Sequence, residues 1–153
     1  MMKTSWGNSV HIIAFIRTLL VVLAVTVCTV AAEDLETVRK KAKAGDADEQ
    51  NMLGVMYGSG KGVRRDDAEA VKWWRKAAEQ GLAQAQFSLG WCYHYGKGVA
   101  QDDTEAVKWW RKAAEQGHTD AQFILGRMYD RGDGVAEDDA EAVKWYRKAA
   151  EQG

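Results

Sequence analysis

One 13-residue phrase recurs at a fixed spacing of 36 residues. EAVKWWRKAAEQG ends at Gly81 and at Gly117, and EAVKWYRKAAEQG ends at Gly153. Gly45 stands one period ahead of the first copy. Aligned as 46–81, 82–117 and 118–153, the copies share 21 of 36 positions, which compositional bias cannot produce. A unit of this length cannot bury its apolar face alone, so the chain must stack units rather than build one central core. The absence of proline, with abundant Ala, Glu, Lys, Gln and Trp, makes helices the building elements.

Each copy divides into two helices around a glycine loop. The first, Ala47–Ser59 in the first copy, keeps Gln50, Leu53, Gly54 and Tyr57 throughout. At about 100° per residue these fall on one narrow arc. Leu53 and Tyr57 bury apolar area there. Gly54 costs a helix about 1 kcal/mol against alanine, so close approach of another helix is the expected compensation. The loop GSGKGV recurs as HYGKGV and DRGDGV. Gly60 and Gly62 permit turn geometry other residues resist, and Val63 plugs the turn into the core. Neither a third glycine nor Lys-Ser/Thr follows, so the loop is not a phosphate cradle.

Asp66, with Glu69 three residues on, predicts a capping box at the start of the second helix, repeated as Asp102/Glu105 and Asp138/Glu141. A helix start explains these carboxylate pairs better than general acid–base chemistry does. Along 67–80, Ala70, Val71, Trp73, Trp74, Ala77 and Ala78 form an apolar stripe, with Lys72, Arg75, Lys76 and Glu79 opposite. Arg75 and Glu79 have the i,i+4 spacing of a helical ion pair. Trp73 beside the small Ala77 and Ala78 reads as core rather than as a ligand cage, and Gly81 as a left-handed cap.

Leu-Gly-x-x-Tyr, Gly-x-Gly-Val, Asp, Ala-x-x-Trp and Ala-Ala-x-x-Gly, in register three times from Ala47 to Gly153, resemble the Sel1-like repeat, a tetratricopeptide-like unit with a longer inter-helix loop. The resemblance implies an all-α fold: a right-handed α/α solenoid of three 36-residue repeats (46–81, 82–117, 118–153). Residues 33–45, where Val38 aligns with Trp74 and Ala42 with Ala78, form an N-terminal capping helix with Lys40, Lys41 and Lys43 outward. Many members carry proline after Gly-Val, where this chain has Arg64, Ala100 and Ala136. Some relatives staple their repeats with disulfides. This chain keeps only Cys92 beyond residue 32, aligned with Met56 and Met128, and it reads as a packing residue.

The first 32 residues differ from the rest. Lys3 and Arg17 precede a predominantly apolar run, Leu19–Val30, and Val30-Ala31-Ala32 offers small residues for cleavage before Glu33. This is the pattern of a signal peptide, and it places the remainder in the bacterial periplasm or outside the cell. Uncleaved, the segment would be a membrane anchor, although Arg17 interrupts the length a span requires. From Glu33 onward 19 basic and 22 acidic residues leave no basic face for nucleic acid. No Cys/His cluster has metal-ligand spacing, and no motif implies a cofactor.

Function should lie where the copies differ, because identical positions serve the stacking. On each first helix four variable positions lie opposite the shared arc: Asp48, Met52, Val55 and Ser59; Gln84, Ser88, Trp91 and Tyr95; Asp120, Ile124, Arg127 and Arg131. First helices of a solenoid line a concave surface that holds extended ligands. Trp91 and Tyr95 beside Arg127 and Arg131 supply the residue types that dominate interface energy. The competing reading of Trp91 is packing against a neighbouring repeat. Asn51, Phe87 and Phe123 are expected in inter-repeat packing. The leading expectation is a non-catalytic adaptor that binds a protein or peptide. The alternatives are a cell-wall or β-lactam-directed hydrolase of the kind reported for some Sel1-like proteins, and self-association through an open C-terminal flank. No Ser-x-x-Lys occurs after residue 32, and only His94 and His118 could serve as imidazole bases there.

Overall fold

The computed structural model describes residues 35–152; the first 32 residues, read above as a signal peptide, lie outside them. A helix spans residues 35–43 (α1). After it come α2 (Ala47–Ser59), α3 (Asp67–Glu79), α4 (Ala83–Tyr95), α5 (Asp103–Glu115), α6 (Thr119–Arg131) and α7 (Asp139–Ala150). Neighbours in sequence pack as neighbours in space, α2 on α3, α3 on α4 and onward to α7, an all-α solenoid of helix pairs.

The two helices of a repeat meet at the shared glycine. A Cβ built on Gly54 would lie 2.5 Å from the Trp74 indole, on Gly90 2.4 Å from Trp110, and on Gly126 2.8 Å from Tyr146. The glycine expected to admit a helix thus admits an aromatic ring. Trp110 is the deepest of these rings at 1% exposed, and its Nε1 donates to the Phe87 carbonyl at 3.2 Å. Leu53, Leu89 and Leu125 are fully buried, as are Ala77, Ala78, Ala113 and Ala114; in the third repeat Ala149 is buried but Ala150 is exposed. Trp73 is buried at the rim, its ring roofed by the Lys76 ammonium 4.4 Å away.

Adjacent repeats are held by three recurring contacts. Buried Gln86 accepts from Gln116 Nε2 at 2.7 Å and donates to the Ala78 carbonyl of the preceding repeat at 3.1 Å. Gln50 and Gln122 do the same with Gln80 and Ala42, and with Gln152 and Ala114. Each is a buried amide with donor and acceptor both satisfied, which turns a polar liability into a latch. Arg75 Nη2 donates to the Tyr93 hydroxyl at 2.8 Å, and Arg111 to Tyr129 likewise. Arg39 on α1 reaches Tyr57 at 3.4 Å, so the first repeat meets α1 through the same pairs as its sisters. Finally, the loop glycine Gly98 (φ +70°) sits so tightly on the start of α3 that a Cβ would come within 2.1 Å of the Asp67 carbonyl; Gly134 does the same against Asp103.

Three local expectations need correction. Arg75 makes no ion pair with Glu79, because the guanidinium is turned to Tyr93. The capping box is half formed. Asp66 accepts from the Glu69 backbone N–H at 2.9 Å, but the Glu69 carboxylate pairs with Lys72, and the Asp66 N–H donates to the Tyr57 carbonyl. That last bond closes the loop against the first helix. The third correction is Phe123, which is 51% exposed. Its sister Phe87 stacks on His118 of the next repeat at 4.5 Å. Gly60, Gly62 and Gly81 all adopt positive φ, in line with their expected turn and cap roles.

Candidate functional site

Of the variable first-helix positions, Trp91 and Tyr95 on α4 stack face to face, 4.9 Å apart with planes 6° from parallel. They are one turn apart on α4, which brings their side chains together. Tyr95 is 55% exposed, whereas Trp91 is half-buried with its edge against Trp110, 5.9 Å between ring centres. Trp91 thus packs on a core ring of its own repeat while keeping part of its surface open.

A groove of about 350 Å³, the α2–α4 groove, opens between Gly58 near the end of α2 and the Ser88–Tyr95 stretch of α4, with α3 contributing Asp67 and Trp74. Its walls are Trp74, Ser88, Trp91, Cys92 and Tyr95, and Arg65, Asp67 and Lys97 line it as well. Arg65 holds Asp67 through two bonds at 2.9 and 3.0 Å, and those hydrogen bonds keep the Asp67 carboxyl below its usual range. Lys97 makes no ion pair among the described residues; its ammonium lies 5.7 Å from the Tyr95 ring centre. Burial pushes the Cys92 thiol up to about 11, assisted by the Asp67 charge, so the groove's one sulfur is a protonated apolar wall. The Trp74 indole N–H has no acceptor among the described residues, unlike that of Trp110.

A second, smaller groove of about 70 Å³ lies on the other side of the aromatic pair, between α4 and α6. Trp91, His94, Tyr95, Ile124, Arg127, Arg131 and Asp133 line it. Arg127 and Arg131 are exposed and pair with no carboxylate among the described residues. His94 Nδ1 and Asp103 Oδ1 are 2.6 Å apart, a contact unique to the middle repeat.

The remaining predicted positions scatter around this centre. Met52 and Val55 are about half exposed on α2 and line neither groove. Ser88 lines the first groove with its hydroxyl bonded to the Gln84 carbonyl at 3.0 Å. The Gln84 side chain meets His118 Nε2 at 3.2 Å, while His118 caps α6 through Nδ1. Asp120 is exposed near the start of α6 and lines neither groove. Sequence reasoning did not single out Lys97, Arg65 or Trp74 for the site. Lys97 and Arg65 sit in loop segments read as structural, and Trp74 was assigned to the core. Their convergence depends on how α3 and the two loops meet α4, which no single helix face displays.

Among the described residues no cluster of His, Cys, Asp and Glu could hold a metal ion, and no helix is long and apolar enough to cross a membrane. The Sel1 repeat family model matches residues 50–82, 83–118 and 119–153. Among solved structures, the chain is similar to c5321, a protective antigen of uropathogenic Escherichia coli with an SLR fold, at 48% identity and a TM-score of 0.75. That match covers 78% of this chain but only 26% of the antigen, so the chain spans about a quarter of that protein's length. A Sel1 repeat protein from Oxalobacter formigenes is 45% identical over 78% of this chain and 90% of its own, with a TM-score of 0.73. Helicobacter pylori cysteine rich protein B is 25% identical over 78% and 89%, with a TM-score of 0.61. No curated protein matches the chain significantly by sequence. Sel1 repeat proteins are generally protein-interaction scaffolds. Three matched repeats across most of the chain, folded as stacked helix pairs, make it a member of the Sel1 repeat family.

Proposed function

We propose that the chain is a non-catalytic adaptor of the bacterial periplasm or cell exterior that binds a protein or peptide along the α2–α4–α6 face. The observation that carries this reading is the exposed Tyr95 stacked on Trp91 between two grooves, in a face otherwise free to vary between repeats. Aromatic anchors set in partly enclosed pockets are where interface energy concentrates. The leader-like first 32 residues support export.

The test is a crosslinking capture from an envelope fraction with the chain as bait, comparing wild type with Tyr95→Ala/Arg127→Ala. Tyr95 is the better target than Trp91, because Trp91 also packs on Trp110. Loss of a specific captured band with unchanged helical circular dichroism supports the face. Equal capture by both proteins rejects it. Self-association is a second reading, favoured by Phe123 and Val143 standing 51% and 55% exposed on the third repeat. Light scattering across a concentration series separates it from the first.

A further inference from the structure

The charges around the aromatic pair are not neutral in arrangement. Toward the C-terminal ends of α4 and α6 lie Lys97, Arg127 and Arg131, none ion-paired among the described residues. The acidic groups nearby are differently disposed. Asp67 is occupied by Arg65 and Asp103 by His94, Asp133 lines the second groove with Arg127 and Arg131, Asp130 lies near Tyr146 as they do, and Asp120 lies at the opposite end of α6. Between the cations the surface is apolar: Trp91, Tyr95 and Ile124, with Trp74 and Cys92 in the first groove. At about 350 Å³ that groove is large enough for a bulky side chain.

Geometry sets a spacing. The two grooves flank α4, and a helix with its side chains is about 10–12 Å across. An extended peptide advances about 3.3 Å per residue. A side chain seated in the first groove is therefore three or four residues from one that reaches Arg127 and Arg131. A sugar ring is a poorer fit, because stacking requires a free aromatic face. Tyr95 covers one face of Trp91, and Lys97 stands near the Tyr95 ring.

We propose, resting on the peptide-binding reading above, that this face selects an acidic extended segment: one large apolar side chain enters the α2–α4 groove, and carboxylates three or four residues away pair with Arg127 and Arg131. Lys97 adds attraction beside the anchor. The unpaired guanidinium groups suit carboxylates through charge-assisted, two-pronged hydrogen bonds.

The experiment is selection of a random-peptide display library on the whole chain, followed by fluorescence anisotropy with the selected peptides synthesised. The expected peptides carry Asp or Glu three or four residues from Phe, Trp or Leu. Their affinity falls at least tenfold in Arg127→Ala/Arg131→Ala and again in wild type at high salt. Arg127→Glu/Arg131→Glu should prefer the same peptides with Lys in place of the acids, a gain that misfolding cannot mimic. If Tyr95-dependent peptides show no acidic preference, or bind the double-alanine variant unchanged, the acidic specificity is wrong and the binding face stands. If no selected peptide depends on Tyr95, the face itself is wrong. Tyr95-dependent binding of soluble peptidoglycan fragments, with no peptide selected, would overturn the choice of partner class.

Discussion

Arg75 on α3 donates to the hydroxyl of Tyr93 on α4 at 2.8 Å, a bond that crosses from one repeat to the next. Tyr93 is itself buried, so the hydroxyl would otherwise lack part of its water. Tyr93→Phe should cost about 1 kcal/mol, and a double-mutant cycle with Arg75→Ala should return a coupling of about 0.5–1.5 kcal/mol. Urea denaturation of the four proteins measures both; additive effects would mean the bond contributes nothing.

Gly98→Ala and Gly81→Ala separate backbone strain from collision. Both glycines have positive φ, but a Cβ on Gly81 meets nothing within 4 Å, whereas on Gly98 it meets the Asp67 carbonyl at 2.1 Å. Gly81→Ala should lose about 1–2 kcal/mol, the cost of a left-handed residue. Gly98→Ala should lose distinctly more, because the opposing atom is backbone and cannot swing away. Thermal melts of the pair should preserve that order.

Two equivalent tryptophans should answer differently to the same change. Trp110→Phe removes an indole N–H that donates to Phe87, and it also opens space at a fully buried site. Trp74→Phe removes an N–H that has no acceptor among the described residues. The first should be the more destabilising by about 1 kcal/mol, read from denaturation midpoints.

Cys92 gives a pH signature. Its folded thiol is pushed up from 9.0 to about 11, so between those values the unfolded chain releases a proton that the folded chain keeps. The thiol's contribution to stability is therefore complete below pH 9 and is lost as the pH rises toward 11. Subtracting the profile of Cys92→Ala isolates it. In the folded protein at pH 8 the thiol should resist a maleimide reagent and react only as the chain opens.

Gln86→Ala should cost about 1–3 kcal/mol, because it removes the two hydrogen bonds of a buried amide, although Gln116 stays exposed to water and the Ala78 carbonyl keeps the Gly81 N–H. Denaturation with circular dichroism provides the figure.

How much of this was legible in the chain follows from which forces are local. Helix bounds, caps and the buried Leu53 and Ala77 could be read because periodicity and capping act within a few residues. Gln50 could be seen to recur but not to latch, since its partners Gln80 and Ala42 lie 30 and 8 residues away. The Arg39–Tyr57 bond was hidden for the same reason: Arg39 belongs to a helix too degenerate for its period to stand out. At the candidate site, Trp91 and Tyr95 on α4 and Arg127 and Arg131 on α6 emerge as variable letters at equivalent positions of two repeats. Lys97 and Trp74 join them only once two helices are set side by side.

The seating of Gly98 and Gly134 on the preceding helix starts gives the stack a counting rule. Both of these loops find their seats in the preceding repeat, so length changes between them and their seats are tolerated only in whole periods. Removing 82–117 would carry Gly134 onto Asp67 with the fit unaltered, whereas a single added residue between Asp67 and Gly98 would leave one of them without a seat. A chain built this way can gain, lose or exchange repeats without redesigning its joints, and the letters on its α4 and α6 faces are free to change their meaning.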